Sequence, residues 1–141
     1  MNILLIDDEP IIHQSLNKTL TKEGFQIDSA FSAKEGLKQL GQTSYDLVIA
    51  DLMMPEMDGL EFLAEFKKGR YNIPAIMITG YPTIRTALLA LRLGASDYIP
   101  KPFTRKELLS PVRRALRKKT YAEEKSSIPG KGEKKGGLPL S

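Results

Sequence analysis

Five polar residues of this 141-residue chain stand where short apolar runs end. Asp7 and Asp8 follow one run, and Asp51 ends another. Thr79 and Lys101 follow two later runs. Clustered carboxylates repel one another unless a cation joins them, and their hard oxygen atoms suit Mg²⁺. A divalent ion, a hydroxyl donor and an ammonium group can together bind a phosphoryl group. The residue types therefore indicate phosphoryl chemistry, with one aspartate as the acceptor.

The apolar runs alternate with helical patterns, which predicts parallel strands that are buried on both faces. We predict strands over residues 2–6, 25–30, 46–50, 74–78 and 97–100, each followed by a helix. Strict alternation predicts an α/β fold, with a parallel sheet and helices on both of its faces. In open sheets of this kind, ligands bind outside the carboxyl ends of the strands. We therefore expect the five polar residues to meet at one edge.

The composition narrows the class of protein. The chain contains no cysteine, which excludes disulfides, thiolate chemistry and cysteine-based zinc sites. No apolar stretch approaches the roughly 20 residues that span a bilayer. The first residues run directly into a predicted strand without a signal-peptide pattern, so we expect a cytoplasmic protein.

Charge divides the chain into two parts. Residues 1–103 carry 10 Lys and Arg against 13 Asp and Glu, whereas residues 104–141 carry 11 against 4. From about Ser126 the composition is rich in Ser, Gly, Pro and Lys, with little to bury. We predict a folded domain over residues 1–119, then the end of a helix and a flexible basic tail or linker over 120–141. No nucleic-acid motif accompanies the basic residues, so we do not expect this chain alone to bind nucleic acid.

Four segments in the right order carry a resemblance to a known family. They are residues 7–8, 51–59, 78–80 and 97–103, and together they resemble the receiver domain of two-component response regulators. The resemblance covers residues 1–119. It implies a flavodoxin-like sheet of five parallel strands in the order 2-1-3-4-5. It also implies a signalling switch that receives a phosphoryl group from a sensor histidine kinase or a phosphotransfer protein.

The resemblance assigns a role to each residue of the site. Asp51 would be the phosphoacceptor and also a Mg²⁺ ligand. Asp8 would bind Mg²⁺ directly, Asp7 would hold it through water or orient its partner, and the Met53 backbone carbonyl would be a further ligand. Lys101 would pair with a phosphoryl oxygen.

The same resemblance implies how the signal leaves the site. Thr79 would move to the phosphoryl group, and Tyr98 would then swing inward. This Thr/Tyr switch would change the face formed by the fourth helix, the fifth strand and the fifth helix, through which a homodimer could form. A cis peptide bond is implied before Pro102. Residues 79–87 and 101–104 are most similar to receivers attached to sigma-54-dependent transcriptional activators, although the chain could equally be a stand-alone receiver.

Three other classes of function remain as alternatives. A flavodoxin-like FMN protein needs a phosphate-binding loop rich in Gly, Ser or Thr after the first strand, where this chain has Asp7 and Asp8. An aspartyl-phosphate hydrolase needs a cap that encloses its substrate, and no insertion of that size is present. A binding module that is never phosphorylated would leave the full acceptor set unexplained.

Two neighbours of the acidic pair receive no catalytic role from the sequence. Glu9 is expected to be a first-turn charge beside the helix dipole. His13, the only histidine, lies about a turn into the first helix. A lone helical histidine most often lies at the surface or the rim of a site, so we expect it there, where it could flank a docking surface.

Two further expectations concern the last helices. On the fourth helix an apolar stripe is expected to face the core, formed by Ile84, Ala87, Leu88 and Leu91. Leu89 and Leu93 would then face away and suggest a partner surface. In the fifth helix, Pro111 removes a hydrogen bond to the Glu107 carbonyl, so it should kink or break that helix.

Overall fold

The computed structural model describes residues 1–127, with side chains described through residue 118. Five strands alternate with five helices along this part of the chain. The strands are β1 (Asn2–Ile6), β2 (Gln26–Ala30), β3 (Leu47–Asp51), β4 (Ala75–Thr79) and β5 (Asp97–Pro100). The helices are α1 (Pro10–Lys22), α2 (Ala33–Leu40), α3 (Gly59–Lys68), α4 (Ile84–Arg92) and α5 (Arg105–Ser127). The predicted alternation is confirmed.

All five strands form one parallel sheet in the order β2-β1-β3-β4-β5. This is the order that the resemblance implied. Ile6 pairs with Ala50, and Asp51 pairs with Ile78, so the carboxyl ends of the three central strands lie side by side. The predicted meeting of the polar residues at one edge follows from this register.

The core has two layers, one on each face of the sheet. Alternate residues of β1 point to opposite faces, as the pleat of a strand requires. Leu4 and Ile6 pack with Phe62 on the side of α2, α3 and α4. Ile3 and Leu5 pack with residues of α1 and α5 on the other side. The strands carry fully buried apolar side chains into both layers of the core. The sheet is therefore a rigid support for the polar residues at its carboxyl edge.

Side-chain caps begin two of the helices that leave this edge, α3 and α4. Asp58 and Glu61 form a reciprocal capping box at the start of α3. The Thr83 hydroxyl accepts from the Thr86 backbone N–H and so caps α4. Each cap satisfies backbone N–H groups that have no partner within the helix, which fixes where the helix starts.

The expected orientation of α4 is wrong. Ile84, Leu88 and Leu91 are exposed, whereas Ala90 is the one fully buried residue of this entirely described helix. Leu93, just past the helix, packs against the core instead of facing away. A small alanine lets the helix backbone approach the sheet closely, and the larger side chains then point to solvent.

The expected break at Pro111 is also wrong, because α5 runs without interruption from Arg105 to Ser127. Pro111 is itself buried, and Leu108 and Val112 on either side of it are fully buried in the core. This packing holds the helix although one backbone hydrogen bond is missing. Among the described helices, none combines the length and the apolarity needed to cross a membrane.

Most of the tail predicted from about Ser126 lies outside the described residues, which end at residue 127. The helix α5 continues past residue 119, where we placed the domain boundary. The division of the chain at that residue therefore stays a prediction.

Gly59, the first residue of α3, lies against the backbone at the end of β3. A Cβ atom there would be 2.6 Å from the Asp51 carbonyl oxygen and 2.6 Å from the Leu52 Cα. Both neighbours are backbone atoms and cannot rotate away. The close approach of α3 to the sheet edge therefore requires glycine at this position.

We expect Gly59→Ala to destabilise the protein by about 1–3 kcal/mol, because overpacking a rigid contact costs that much. Urea unfolding followed by circular dichroism measures the change. Gly41→Ala is the matched control, since its Cβ would meet nothing closer than 3.5 Å. Equal unfolding midpoints for the two variants would contradict the close-packing argument.

Candidate functional site

The five polar residues predicted from the sequence lie together at the carboxyl edge of the sheet. Asp7 and Thr79 are fully buried, and Asp51 is 3% exposed. Asp8 is partly exposed, and the Lys101 side chain is 15% exposed. The site is therefore mostly desolvated but open on one side.

Lys101 stands at the centre of the charges. Its Nζ lies 3.3 Å from Asp7 Oδ2 and 3.6 Å from Asp51 Oδ1. Burial lowers the pKa of Lys101, but the attraction of Asp7 and Asp51 outweighs it, so the pKa is raised overall. Lys101 is therefore charged and attracts both buried carboxylates.

Glu9 is a member of the site that the sequence reasoning missed. Its Oε1 lies 3.7 Å from Lys101 Nζ, and its backbone N–H donates to Asp7 Oδ1 at 2.9 Å. Glu9 is the N-cap residue of α1 and makes no side-chain cap bond. Its position directly after an acidic pair was the available signal, because the strand end that carries Asp7 and Asp8 also carries Glu9.

The three aspartates can converge on one ion. Asp7, Asp8 and Asp51 each offer a carboxylate oxygen, and these atoms all lie within 4.8 Å of one another. Asp51 Oδ1 is buried and has no hydrogen-bond partner among the described residues. Burial, and then the negative charge of Asp7, raise the pKa of Asp51 to about 6. A hard divalent cation would satisfy the free oxygen and offset the excess negative charge, so these residues fit Mg²⁺.

Asp7 differs from Asp51 in having its oxygens satisfied. It accepts from the Glu9 N–H and from Lys101 Nζ. Burial nevertheless raises its pKa above the usual value, against the opposing effects of those two partners. Because both of its oxygen atoms are held by these hydrogen bonds, the Asp7 carboxylate is fixed in place and can orient its neighbours.

The buried Thr79 is followed by open space at Gly80. Thr79 Oγ1 accepts a hydrogen bond from the Tyr81 N–H at 3.0 Å. Gly80 follows it, and a Cβ at that position would meet no described atom within 4 Å. The Met53 backbone hydrogen-bonds to Asp51, and its side chain is exposed. The Met53 carbonyl remains only a predicted ligand.

Tyr98 is held at the start of α4. Its hydroxyl lies 2.7 Å from Thr86 Oγ1 and accepts from the Thr83 N–H at 3.3 Å. The ring is partly buried and packs against the core. The peptide bond between Lys101 and Pro102, just beyond β5, is cis, as the resemblance implied.

The expectation that His13 lies at the surface or the rim is wrong. The residue is 5% exposed, and its Nε2 lies 2.6 Å from the Asp7 carbonyl oxygen. It occupies the same buried face of α1 as Leu16 and Leu20. The helical period carries His13 into the core beside the acidic pair.

Comparison with known proteins shows strong similarity to one family. A family profile described as the response regulator receiver domain matches residues 3–113. The chain is 39% identical over 126 residues to the uncharacterized transcriptional regulatory protein YcbL of Bacillus subtilis (strain 168), covering 89% of this chain and 55% of that protein. It is 34% identical over 130 residues to the transcriptional regulatory protein BasR of Escherichia coli (strain K12), covering 92% and 59%. The chain thus spans little more than half the length of these relatives.

Solved structures show the same similarity in three dimensions. A response regulator receiver domain protein from Clostridium thermocellum superposes with a TM-score of 0.81 at 34% sequence identity. The match covers 86% of this chain and 98% of that one.

Asp51→Asn should stabilise the protein at neutral pH in the absence of divalent ions. The folded state holds the Asp51 proton up to a pKa of about 6, against 3.8 for the ordinary group. The wild type therefore loses stability as pH rises between these values, and the asparagine variant does not. We expect the variant to be more stable by about 1–3 kcal/mol at pH 7.5 and nearly unchanged near pH 4.

Urea unfolding at the two pH values measures this difference. Glu65→Gln is the control, because its carboxylate lies on the exposed face of α3. A variant that is less stable than wild type at pH 7.5 would show that Asp51 is not under electrostatic strain.

Proposed function

The chain belongs to the response regulator receiver domain family, and from that membership we propose that Asp51 is its phosphoacceptor. Proteins of this family are signalling switches and not conventional enzymes, and the relatives above are transcriptional regulators. The observation that carries the proposal is the buried Asp51 carboxylate, which has one free oxygen and lies 3.6 Å from Lys101. The donor would be the phosphohistidine of a sensor kinase or a phosphotransfer protein.

The transfer would be a direct displacement. An Asp51 carboxylate oxygen attacks the phosphorus, the P–N bond to the donor histidine breaks, and the imidazole leaves with the bonding electron pair. Lys101 would stabilise the charge on the phosphoryl oxygens. The open space beside Gly80 would admit the group, and Thr79 could then donate to one of its oxygens. Charge stabilisation of this kind is the main contribution of such sites.

Asp8, Asp51 and the Met53 carbonyl would hold Mg²⁺, with Asp7 acting through water or by orienting its neighbours. The ion would supply positive charge to the phosphoryl oxygens. Hydrolysis of the aspartyl phosphate within the same site would reset the switch. These steps involve the chain's own phosphoryl group and no external substrate.

Thr79 and Tyr98 would carry the signal to the surface. In the unphosphorylated protein the Thr79 hydroxyl accepts from the Tyr81 N–H, and the Tyr98 hydroxyl contacts Thr86. A phosphoryl group that draws Thr79 toward it would open space for the Tyr98 ring. Phosphorylation then shifts an equilibrium between two positions of Tyr98 and so changes the face formed by α4, β5 and α5.

This face would contact the output. It presents the exposed side chains of Ile84, Leu88 and Leu91, which favour a protein partner, an output domain or a second copy of the chain. The resemblance to receivers of sigma-54-dependent activators favours an output in transcription, with the segment from about Ser126 as the start of a linker to it. We propose a cytoplasmic protein that does not bind nucleic acid through this chain alone.

The alternative functions gain no support from the site. Three aspartates lie where an FMN phosphate would have to bind, and they would repel it in the absence of a metal. The helices between the strands are short, and residues 1–127 form no cap over the edge of the size that a hydrolase needs. A module that is never phosphorylated would leave without a role the buried Asp51 oxygen that accepts no hydrogen bond.

The proposal predicts that Asp51→Asn abolishes labelling by acetyl phosphate, because no other carboxylate in the described part of the chain has a buried oxygen that lacks a hydrogen bond and lies beside Lys101. Asp8→Asn should slow Mg²⁺-dependent labelling by at least about tenfold, since it loses a metal ligand. Mass spectrometry of intact protein measures the added phosphoryl group, and circular dichroism verifies the fold. Full labelling of the Asp51 variant would refute the assignment.

Thr86→Val should weaken the attachment of Tyr98 to α4, leaving only the longer bond from the Thr83 N–H. The variant keeps the shape of the side chain but loses a hydrogen bond worth about 0.5–1.5 kcal/mol, which shifts a two-state equilibrium by up to about tenfold. Amide chemical shifts of Leu88 and Leu91 should move part of the way toward those of the protein bound to beryllofluoride, a phosphoryl mimic. Thr86→Ser keeps the hydroxyl and serves as the control. If both variants give the same shifts, the Thr86 bond does not hold the switch.

A further inference from the structure

His13 occupies a core position where the rest of its helix uses aliphatic side chains. The buried residues of α1 are His13, Leu16 and Leu20. A leucine at position 13 would fill the same layer of the core, and no polar ring would have to be removed from water. The imidazole is therefore more than packing requires, and the mechanism described above does not use it.

Both nitrogen atoms of the ring have partners. Nε2 lies 2.6 Å from the Asp7 carbonyl oxygen, and Nδ1 lies 2.9 Å from the Ser29 hydroxyl oxygen. A carbonyl oxygen only accepts, so Nε2 carries the proton and donates it. In the neutral ring, Nδ1 accepts from the Ser29 hydroxyl. The Phe31 ring packs beside the imidazole, with centroids 4.2 Å apart, and limits its rotation.

The hydrogen bond from His13 to the Asp7 carbonyl helps to fix the peptide group between Asp7 and Asp8. The Asp7 N–H donates to the Ala30 carbonyl at 3.1 Å, and Asp7 Oδ1 accepts from the Glu9 N–H. The Asp7 carbonyl belongs to the peptide bond that leads to Asp8. His13 thus fixes the plane of the peptide from which the Asp8 side chain departs. A rotation of this plane would swing the Asp8 carboxylate relative to Asp51.

We propose that His13 is a positioning residue for the metal site, acting through the Asp7–Asp8 peptide to hold the Asp8 carboxylate toward Asp51. The inference rests on the proposed function, because it concerns the same Mg²⁺ site. Residues that orient metal ligands through a hydrogen bond typically contribute 10–100-fold to metal affinity. His13 would supply this effect from the core, one step removed from the ion.

Two substitutions separate the hydrogen bond from the packing. His13→Phe keeps a buried ring and removes the donor to Asp7. His13→Gln places a side-chain amide N–H within reach of the same carbonyl. The control is Leu16→Ala, which weakens the packing of α1 but leaves the Asp7 carbonyl bonded.

The test measures Mg²⁺ binding to the unphosphorylated full chain directly. The amide chemical shifts of residues 8 and 51 are recorded during a Mg²⁺ titration and give the dissociation constant. We expect the dissociation constant of His13→Phe to rise about tenfold or more. The values for His13→Gln and Leu16→Ala should stay within about threefold of wild type. Urea unfolding of all four proteins shows which of them lose stability.

The outcomes distinguish failure of the proposed metal site from failure of the role proposed for His13. If wild type shows no Mg²⁺-dependent shifts at these residues, the proposed metal site fails and this inference fails with it. If wild type binds and His13→Phe binds equally well, only the role of His13 is overturned. Equal weakening by the Phe and Gln variants, or weakening by Leu16→Ala to the same degree, would assign the effect to packing and also overturn it.

Discussion

The attraction between Lys101 and two buried carboxylates is the interaction on which the site depends. Asp7 and Asp51 lie where water is largely excluded, and each raises the cost of ionising the other. One ammonium group cannot balance both of them together with Asp8 and Glu9 nearby. The edge of the sheet is therefore left with a surplus of negative charge and one oxygen that accepts no hydrogen bond. This surplus favours a cation, and in the proposed function the phosphoryl group would bind only together with that cation.

This strain is tolerated because the strands beneath it are unusually well anchored. β1, β3 and β4 carry fully buried apolar side chains into both layers of the core, and Gly59 lets α3 lie directly against the end of β3. Burial of this kind stabilises a domain by far more than the few kcal/mol that a strained carboxylate costs. The rigid support also keeps the carboxylates from moving apart to relieve their repulsion.

The sequence predicted the alternation of elements and the meeting of Asp7, Asp8, Asp51, Thr79 and Lys101, because strand ends and apolar runs are local signals. The strand order came from the resemblance, since no local pattern states which strands are neighbours. The orientation of α4 was missed because the longest apolar stripe was assumed to face the core, whereas the close approach is made by Ala90. His13 and Glu9 were missed for a related reason. Their roles depend on where α1 sits relative to β1 and β5, and the sequence does not contain that distance. Pro111 was misjudged because tertiary packing of its neighbours outweighed one missing hydrogen bond.

The shallow attachment of α4 affects how the site at the sheet edge and the exposed face of that helix influence each other. A helix with a single fully buried residue has a low local free energy of opening, and its amide hydrogens should exchange with solvent sooner than those of α3. A partner that covers Ile84, Leu88 and Leu91 in one position of the helix would stabilise that position. By thermodynamic linkage, this partner would change the affinity of the sheet edge for its ligand by the same factor by which the ligand changes the affinity for the partner. The face that reads the signal would therefore also help to set how strongly the signal binds.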